Sequence, residues 1–234
     1  GAGGRLYFNV PAGPGPSAGL YQYSDPGGNT LTVTSYDDNG NPTGFDRTLP
    51  NGASQGIVYT YTDDMVSGVT VTDDSSTVES AVMSYDDSGN LQFAIDTPAD
   101  GAVTASYMRY YALGEAGGYE NGLKYLVTGD SLEQLLASQS LSLSDLTNSS
   151  TSDATKDALN QLDDSVIAAY ADNAYQYDSS GRVTQVVAQG NGCSTCTGGM
   201  GTTTFQYEQN NNSTDGYNTW SIKRTEYLPG YDFS

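Results

Sequence analysis

Between residues 20 and 111 the chain alternates apolar and polar positions in short runs: 31–34 (Leu-Thr-Val-Thr), 57–61 (Ile-Val-Tyr-Thr-Tyr), 69–72 (Val-Thr-Val-Thr), 78–84, 91–95 and 103–111. A period of two, rich in Val, Thr and Tyr, is the pattern of strands with one face buried. The runs are separated by Asp38-Asn39-Gly40, Pro50-Asn51-Gly52, Asp87-Ser88-Gly89 and Ala99-Asp100-Gly101, all of which have turn chemistry. Together they predict an antiparallel meander. Upstream, Pro11, Pro14 and Pro16 fix φ and remove donors, so residues 1–20 predict an extended lead-in after a short strand at 6–10.

The period then changes. Asp130-Ser131-Leu132-Glu133 has capping-box spacing, and Leu132, Leu135 and Leu136 follow at helical intervals. Beyond a Ser/Thr/Asn-rich loop at 147–153, Leu159, Leu162, Val166, Ile167 and Tyr170 recur three and four residues apart and predict a helix over roughly 153–171. Residues 119–173 therefore read as a helical insertion in the β array, its apolar stripe packed on the sheet. Alternation resumes at 175–177 and 183–187, then at 202–207 and 219–228, with Trp220 expected in the core under the last hairpin. Asn148, Asn211 and Asn212 stand in sequon-like contexts, which are read here as turn chemistry.

One short cassette recurs. It is seen as Tyr36-Asp37-Asp38-Asn39-Gly40-Asn41, as Tyr85-Asp86-Asp87-Ser88-Gly89-Asn90, and as Tyr177-Asp178-Ser179-Ser180-Gly181-Arg182. An aromatic closes a strand, an Asp bonds the following backbone, and a Gly supplies positive φ, which is what a hairpin corner needs. Repetition of one supersecondary unit points to an array or spiral.

The formal charge of −20 argues against nucleic acid and anionic membrane surfaces, which need a basic footprint. Between Arg47 and Arg109 there is no Lys or Arg but nine acidic residues, a distribution that solvates the chain and can attract cations. The candidate cation ligands are Asp37, Asp38, Asp86 and Asp87, with Asn39, Asp63 and Asp64 beside them. None carries a full calcium-loop register, so turn-forming Asp is the favoured reading and no cofactor is expected beyond Ca²⁺ at those loops. The absence of His removes the common general base, the Ser-His-Asp triad and most metal centres. Cys193 and Cys196 lie in a Gly-rich Cys-x-x-Cys loop. Its setting favours a disulfide-pinned loop over free thiols, redox chemistry or a shared metal. No apolar run of 18 residues exists to span a membrane, and the Gly1 start and abrupt end read as a piece of a longer polypeptide.

Residues 175–184, Tyr-Gln-Tyr-Asp-Ser-Ser-Gly-Arg-Val-Thr, resemble the YD repeat of the Rhs family of large secreted bacterial proteins, and the Tyr36 and Tyr85 cassettes resemble degenerate copies of it. The order Tyr170-Ala-Asp-Asn-Ala-Tyr175, Gly192-Cys-Ser-Thr-Cys196, Thr204-Phe-Gln-Tyr207 and Gly216-Tyr-Asn-Thr-Trp220 is similar to Rhs-like proteins of planctomycete-type bacteria. The likeness is strongest over 170–234. Upstream the cassettes lie 49 and 92 residues apart, Tyr36 to Tyr85 and Tyr85 to Tyr177, instead of at the family's period of about 20. The resemblance implies a β-sheet ribbon that spirals into a shell; with the helical insertion read above, the expected fold is mainly β, an antiparallel hairpin ribbon or spiral sheet with a short α-helical insertion. The divisions would be a β segment with degenerate turns (1–118), the insertion (119–173) and a repeat segment with the Cys loop (174–234). In the family the repeats are scaffold, effector or adhesive modules lie elsewhere, and no catalytic residues carry over.

The expectation is a non-catalytic structural segment of an extracellular or cell-surface assembly, whose partners are copies of itself or flanking repeats. The alternative is an extracellular binding or adhesion module for a glycan or protein, using its 19 tyrosines and Ca²⁺ at the Asp loops. Enzymatic function is not expected. Adjacent carboxylates such as Asp163 and Asp164, or Asp73 and Asp74, point different ways on a helix or strand.

Overall fold

The computed structural model describes residues 5–8, 20–188, 201–209 and 220–227. They form antiparallel strands, each hydrogen-bonded to its neighbours in chain order, and four short helices. The chain divides into two compact units, Gly1–Ser84 with Ala94–Thr104, and Tyr85–Phe93 with Ala105–Ser234.

The first unit contains β1 (Arg5–Phe8), β2 (Leu20–Ser24), β3 (Thr30–Tyr36), β4 (Pro42–Thr48), β5 (Ser54–Thr62), β6 (Met65–Asp73) and β7 (Ser76–Tyr85) up to its last residue. Register explains the alternation. Val33, Phe45, Ile57 and Val71 stand opposite one another across β3–β6 and form an apolar row. The neighbouring row, Thr32, Asp46, Gly56 and Thr72, belongs to the other face. Phe45 also meets Tyr59 edge-on at 5.4 Å between centroids. β5–β6 and β6–β7 are joined by the two-residue links Asp63-Asp64 and Asp74-Ser75. All four residues have positive φ, from 45° to 68°, as a type I′ hairpin requires, and Asp tolerates that conformation.

The second unit takes the start of β8 (Leu91–Pro98), then β9 (Thr104–Tyr110), β10 (Leu123–Thr128), α1 (Gly129–Ser138), α2 (Leu143–Thr147), α3 (Ser152–Asn160), α4 (Asp164–Ala168), β11 (Asn173–Tyr177), β12 (Val183–Ala188), β13 (Gly201–Gln209) and β14 (Trp220–Tyr227). The core lies here. Phe93 and Tyr107 stack at 4.9 Å, and with Val127, Leu132, Leu135, Leu136, Leu146, Leu159 and Ile167 they are shut off from solvent. The helices supply the second layer.

Within the predicted insertion, 119–173, the first element is a strand. β10 precedes the helices and pairs with β9 on one side and β11 on the other. All four helices therefore sit in the link between two paired strands, where the other hairpins have a corner. Asp172 closes this neck. Its N–H donates to the Leu126 carbonyl at 2.9 Å. Its carboxylate accepts from the Thr128 N–H (2.6 Å), the Thr128 hydroxyl (2.7 Å) and the Ser131 hydroxyl (2.7 Å).

That arrangement replaces the capping box expected at Asp130–Glu133. The N-cap of α1 is Thr128, which makes no side-chain cap bond, and the Asp172 carboxylate takes the position facing the helix N-terminus. The reciprocal capping box is found instead at Ser142 and Asp145 of α2. The single helix expected over 153–171 is divided into α3 and α4, because Arg109 satisfies the carbonyls of Leu159, Asn160 and Leu162, at 2.7 to 3.0 Å, that another helical turn would have used.

Candidate functional site

The three cassettes fold as one structure. At Asp37 the backbone N–H donates to the Asn41 carbonyl (2.9 Å), and the Gly40 N–H donates to the Asp37 carbonyl (3.0 Å). The Asp37 carboxylate accepts from the N–H groups of Asn39 (3.0 Å) and Asn41 (2.8 Å) and from the Asn41 amide (3.1 Å). Asp86 repeats every one of these bonds with Gly89, Ser88 and Asn90. Asp178 does the same with Gly181, Ser180 and Arg182, except that an Arg Nε replaces the Asn amide at 2.7 Å. Gly40, Gly89 and Gly181 have φ of 87°, 81° and 74°. This is a type I turn followed by a left-handed glycine, the three-residue hairpin with a bulge.

Two further corners share the design. Asp25-Pro26-Gly27-Gly28-Asn29 has the same backbone pair, the same carboxylate clamp on Asn29, and φ of 86° at Gly28. Leu49-Pro50-Asn51-Gly52-Ala53 keeps the backbone pair and the glycine, with Asn51 accepting from the Ala53 N–H at 3.1 Å where the others use Asp.

A second element accompanies the corner. The first residue of the outgoing strand has its carbonyl sealed by a tyrosine hydroxyl from the end of the next strand. Tyr61 donates to Pro42 (2.9 Å), Tyr110 to Leu91 (2.7 Å), and Tyr207 to Val183 (2.7 Å). Across the helical insertion Tyr177 donates to Leu123, the first residue of β10, at 2.9 Å. The cassette tyrosines differ in environment. Tyr36 is 47% exposed and Tyr85 half-buried. Tyr177 packs edge-on against Tyr119 (5.0 Å) and Tyr111 (6.0 Å).

The electrostatics follow from these bonds. The Asn29 side chain, then its backbone N–H, hold Asp25 below the ordinary carboxylate range. At Asp37 desolvation opposes the charge, but the Asn41 and Asn39 donors outweigh it and its pKa is lowered. At Asp178 the Arg182 guanidinium and N–H lower it. Burial pushes the Tyr177 phenol up to about 12, with neighbouring tyrosines adding to the shift.

Of the candidate cation ligands, Asp37 and Asp86 have both carboxylate oxygens engaged inside their own corners. Asp38 and Asp87 are exposed on the turn tips. Asp64 accepts from the Asn39 and Asn41 amides at 3.0 and 3.1 Å, tying the β5–β6 link to the Asp37 corner. Among the described residues no group of three or more His, Cys, Asp or Glu is arranged to hold a metal ion, and no helix is long and apolar enough to cross a membrane. Cys193, Cys196, Asn211, Asn212 and the Trp220 side chain lie outside the described residues.

A charged cluster that no sequence motif marks surrounds Lys124. Lys124 on β10 is 8% exposed. Its ammonium donates to both Glu115 and Asp164 and lies 5.1 Å from the Tyr111 ring centroid and 5.5 Å from that of Tyr125. Asp164 also accepts from Arg109 Nη1 at 3.1 Å. Burial disfavours the Lys124 charge, but the two carboxylates prevail and raise its pKa. At Asp164 desolvation is likewise outweighed, by Lys124 and Arg109, and the pKa is lowered. Lys, Glu, Arg and Asp here come from β10, the β9–β10 link, β9 and α4, so no local motif signals the cluster.

The fold and its corners define an antiparallel β-meander protein with helices inserted into one hairpin. No family model and no curated protein matches the chain. Among solved structures it is similar to a porin-like protein from Bacteroides uniformis, at 13% identity over 94% of this chain and 75% of that one, with a TM-score of 0.38. It is also similar to a TcdB2-TccC3-TEV structure, at 12% identity over 90% of this chain and 14% of that one, with a TM-score of 0.22. Likenesses this slight do not define the fold.

Proposed function

We propose that this chain is a non-catalytic structural segment of a large secreted or cell-surface protein of Rhs-like repeat type, contributing to an extracellular shell, fibre or assembly. The observation that carries this reading is the recurrence of one corner, Asp clamp and left-handed glycine, with a tyrosine seal beside three of the Asp-built corners. A motif whose polar atoms are turned onto its own backbone serves architecture. Hairpins in series bury their faces best when neighbours supply the next one. Among the described strands β1 pairs only with β2, and β14 only with β13. Such edges accept strand addition from another copy or from flanking repeats.

Negative-stain imaging of the purified chain over a concentration series tests this. Discrete polymers or shells are expected. A monomer at every concentration that scores on a glycan array would replace the structural reading with the binding one.

A further inference from the structure

The cluster around Lys124 holds more than an ion pair needs. Burying an ammonium is costly, and one well-placed carboxylate with hydrogen bonds is the usual compensation. Lys124 has two carboxylates, the rings of Tyr111 and Tyr125 on its flanks, and almost no solvent. One of those carboxylates is in turn gripped by a guanidinium. That guanidinium has no freedom of its own. Arg109 Nε donates to the Tyr107 hydroxyl at 3.1 Å, and its terminal nitrogens donate to the carbonyls of Leu159, Asn160 and Leu162.

These are the parts that an amide condensation requires. An amine is held against a carboxyl group, a second carboxylate touches the amine and can carry its proton, and a fixed cation faces the oxygen on which negative charge develops. We propose that Lys124 and Asp164 become joined by an isopeptide bond that the chain makes in itself, with Glu115 as proton carrier. Asp164 is the acceptor because its Oδ1 is held by the Arg109 guanidinium at 3.1 Å, which draws electron density from Cγ. Glu115 is the carrier. Its Oε2 is fixed by the Ala112 N–H at 3.0 Å, leaving Oε1 directed at the amine.

The step balances. Glu115 takes one proton from the Lys124 ammonium, and the neutral Nζ attacks Asp164 Cγ. The charge that forms on Oδ1 rests on Arg109. The Cγ–Oδ2 bond then breaks, and Oδ2 leaves as water with one proton from Nζ and the one returned by Glu115. Ammonium and carboxylate become amide and water, with no change of oxidation state and no co-reactant.

The bond ties β10 to the first residue of α4 and encloses α1, α2 and α3 in a covalent loop. The inference rests on the geometry of this cluster and not on the structural reading of the corners.

The test is the intact mass of the full chain, denatured under reducing conditions so that Cys193 and Cys196 do not contribute. The expected mass is about 18 Da below that of the sequence, one water lost per chain. Proteolysis with tandem mass spectrometry should yield a branched peptide joining Lys124 to Asp164, and the variants Lys124→Arg and Glu115→Gln should retain the full mass. A wild-type chain at its full sequence mass would overturn the proposal, whether or not either variant folds. So would a mass deficit that maps to an Asn-Gly corner, such as Asn39-Gly40, or to a Lys124–Glu115 link.

Discussion

The Tyr110 hydroxyl donates to the carbonyl of Leu91 at 2.7 Å, joining the end of one strand to the residue that leaves the Asp86 corner. Nineteen residues separate the two, and the same separation divides Tyr61 from Pro42 at the Asp37 corner. The seal gives a partner to a half-buried carbonyl where a strand begins, and it fixes how far the following strand extends. Corner and seal together set the register of a three-strand unit.

Tyr110→Phe and Tyr61→Phe are therefore expected to destabilise by about 1–2 kcal/mol each, because a carbonyl loses its partner while the ring stays packed. Chemical denaturation measures this. Unchanged midpoints in both variants would show that the hydroxyls are ornaments of the turn and not part of it.

Gly40→Val and Gly181→Val should each cost about 1–3 kcal/mol, since a β-branched residue is strained at positive φ. At Gly40 a Cβ would meet nothing within 4 Å, so backbone conformation alone sets the loss. At Gly181 the Cβ would come 3.4 Å from the Tyr119 ring, and the larger loss is expected there. Wild-type melting in both variants would refute the corner geometry.

The difference between what could and could not be read in the sequence shows in these same corners. The three Tyr-Asp cassettes announce themselves because every group a corner needs lies within six residues. The Asp25 corner has the same clamp but no tyrosine before the Asp, and the Leu49 corner substitutes Asn51, so neither forms the cassette. β4 shows no clean alternation because the positions two residues either side of Phe45 are the polar Thr43 and Arg47, and β4 holds together through pairing on both sides. β10 falls within the span the sequence assigns to the helical insertion, because Leu-Lys-Tyr-Leu-Val-Thr buries Lys124 as well as Val127 and has no clean period. The seals and the Lys124 cluster join residues 9 to 55 positions apart, and no local pattern encodes such partners.

Asp172→Ala should cost about 2–3 kcal/mol, since a carboxylate accepting three short bonds at the neck of the insertion is lost. Amide exchange in α1 should accelerate more than exchange in β5 and β6. Uniform loss of protection across the chain would show that the neck does not act locally.

The pH dependence has two arms. Asp25, Asp37 and Asp178 have lowered pKa values in the fold, so their stabilisation is complete above the unfolded value near 3.8 and is lost as pH falls below it. Tyr177 is raised to about 12, so the neutral phenol is favoured in the fold, and stability declines as pH rises from about 10, where the unfolded phenol ionises, toward that value. Circular dichroism with tyrosinate absorbance follows both arms. Stability that kept rising between pH 10 and 12 would contradict the buried environment of Tyr177.

The structural role proposed for the chain predicts that its outer strands are covered by other copies or by neighbouring repeats. Hydrogen–deuterium exchange of β14 as a function of protein concentration measures this most directly. Exchange in β14 should slow as concentration rises, while β5 and β6, already paired on both sides, stay constant. Exchange in β14 that is fast and indifferent to concentration would contradict the account.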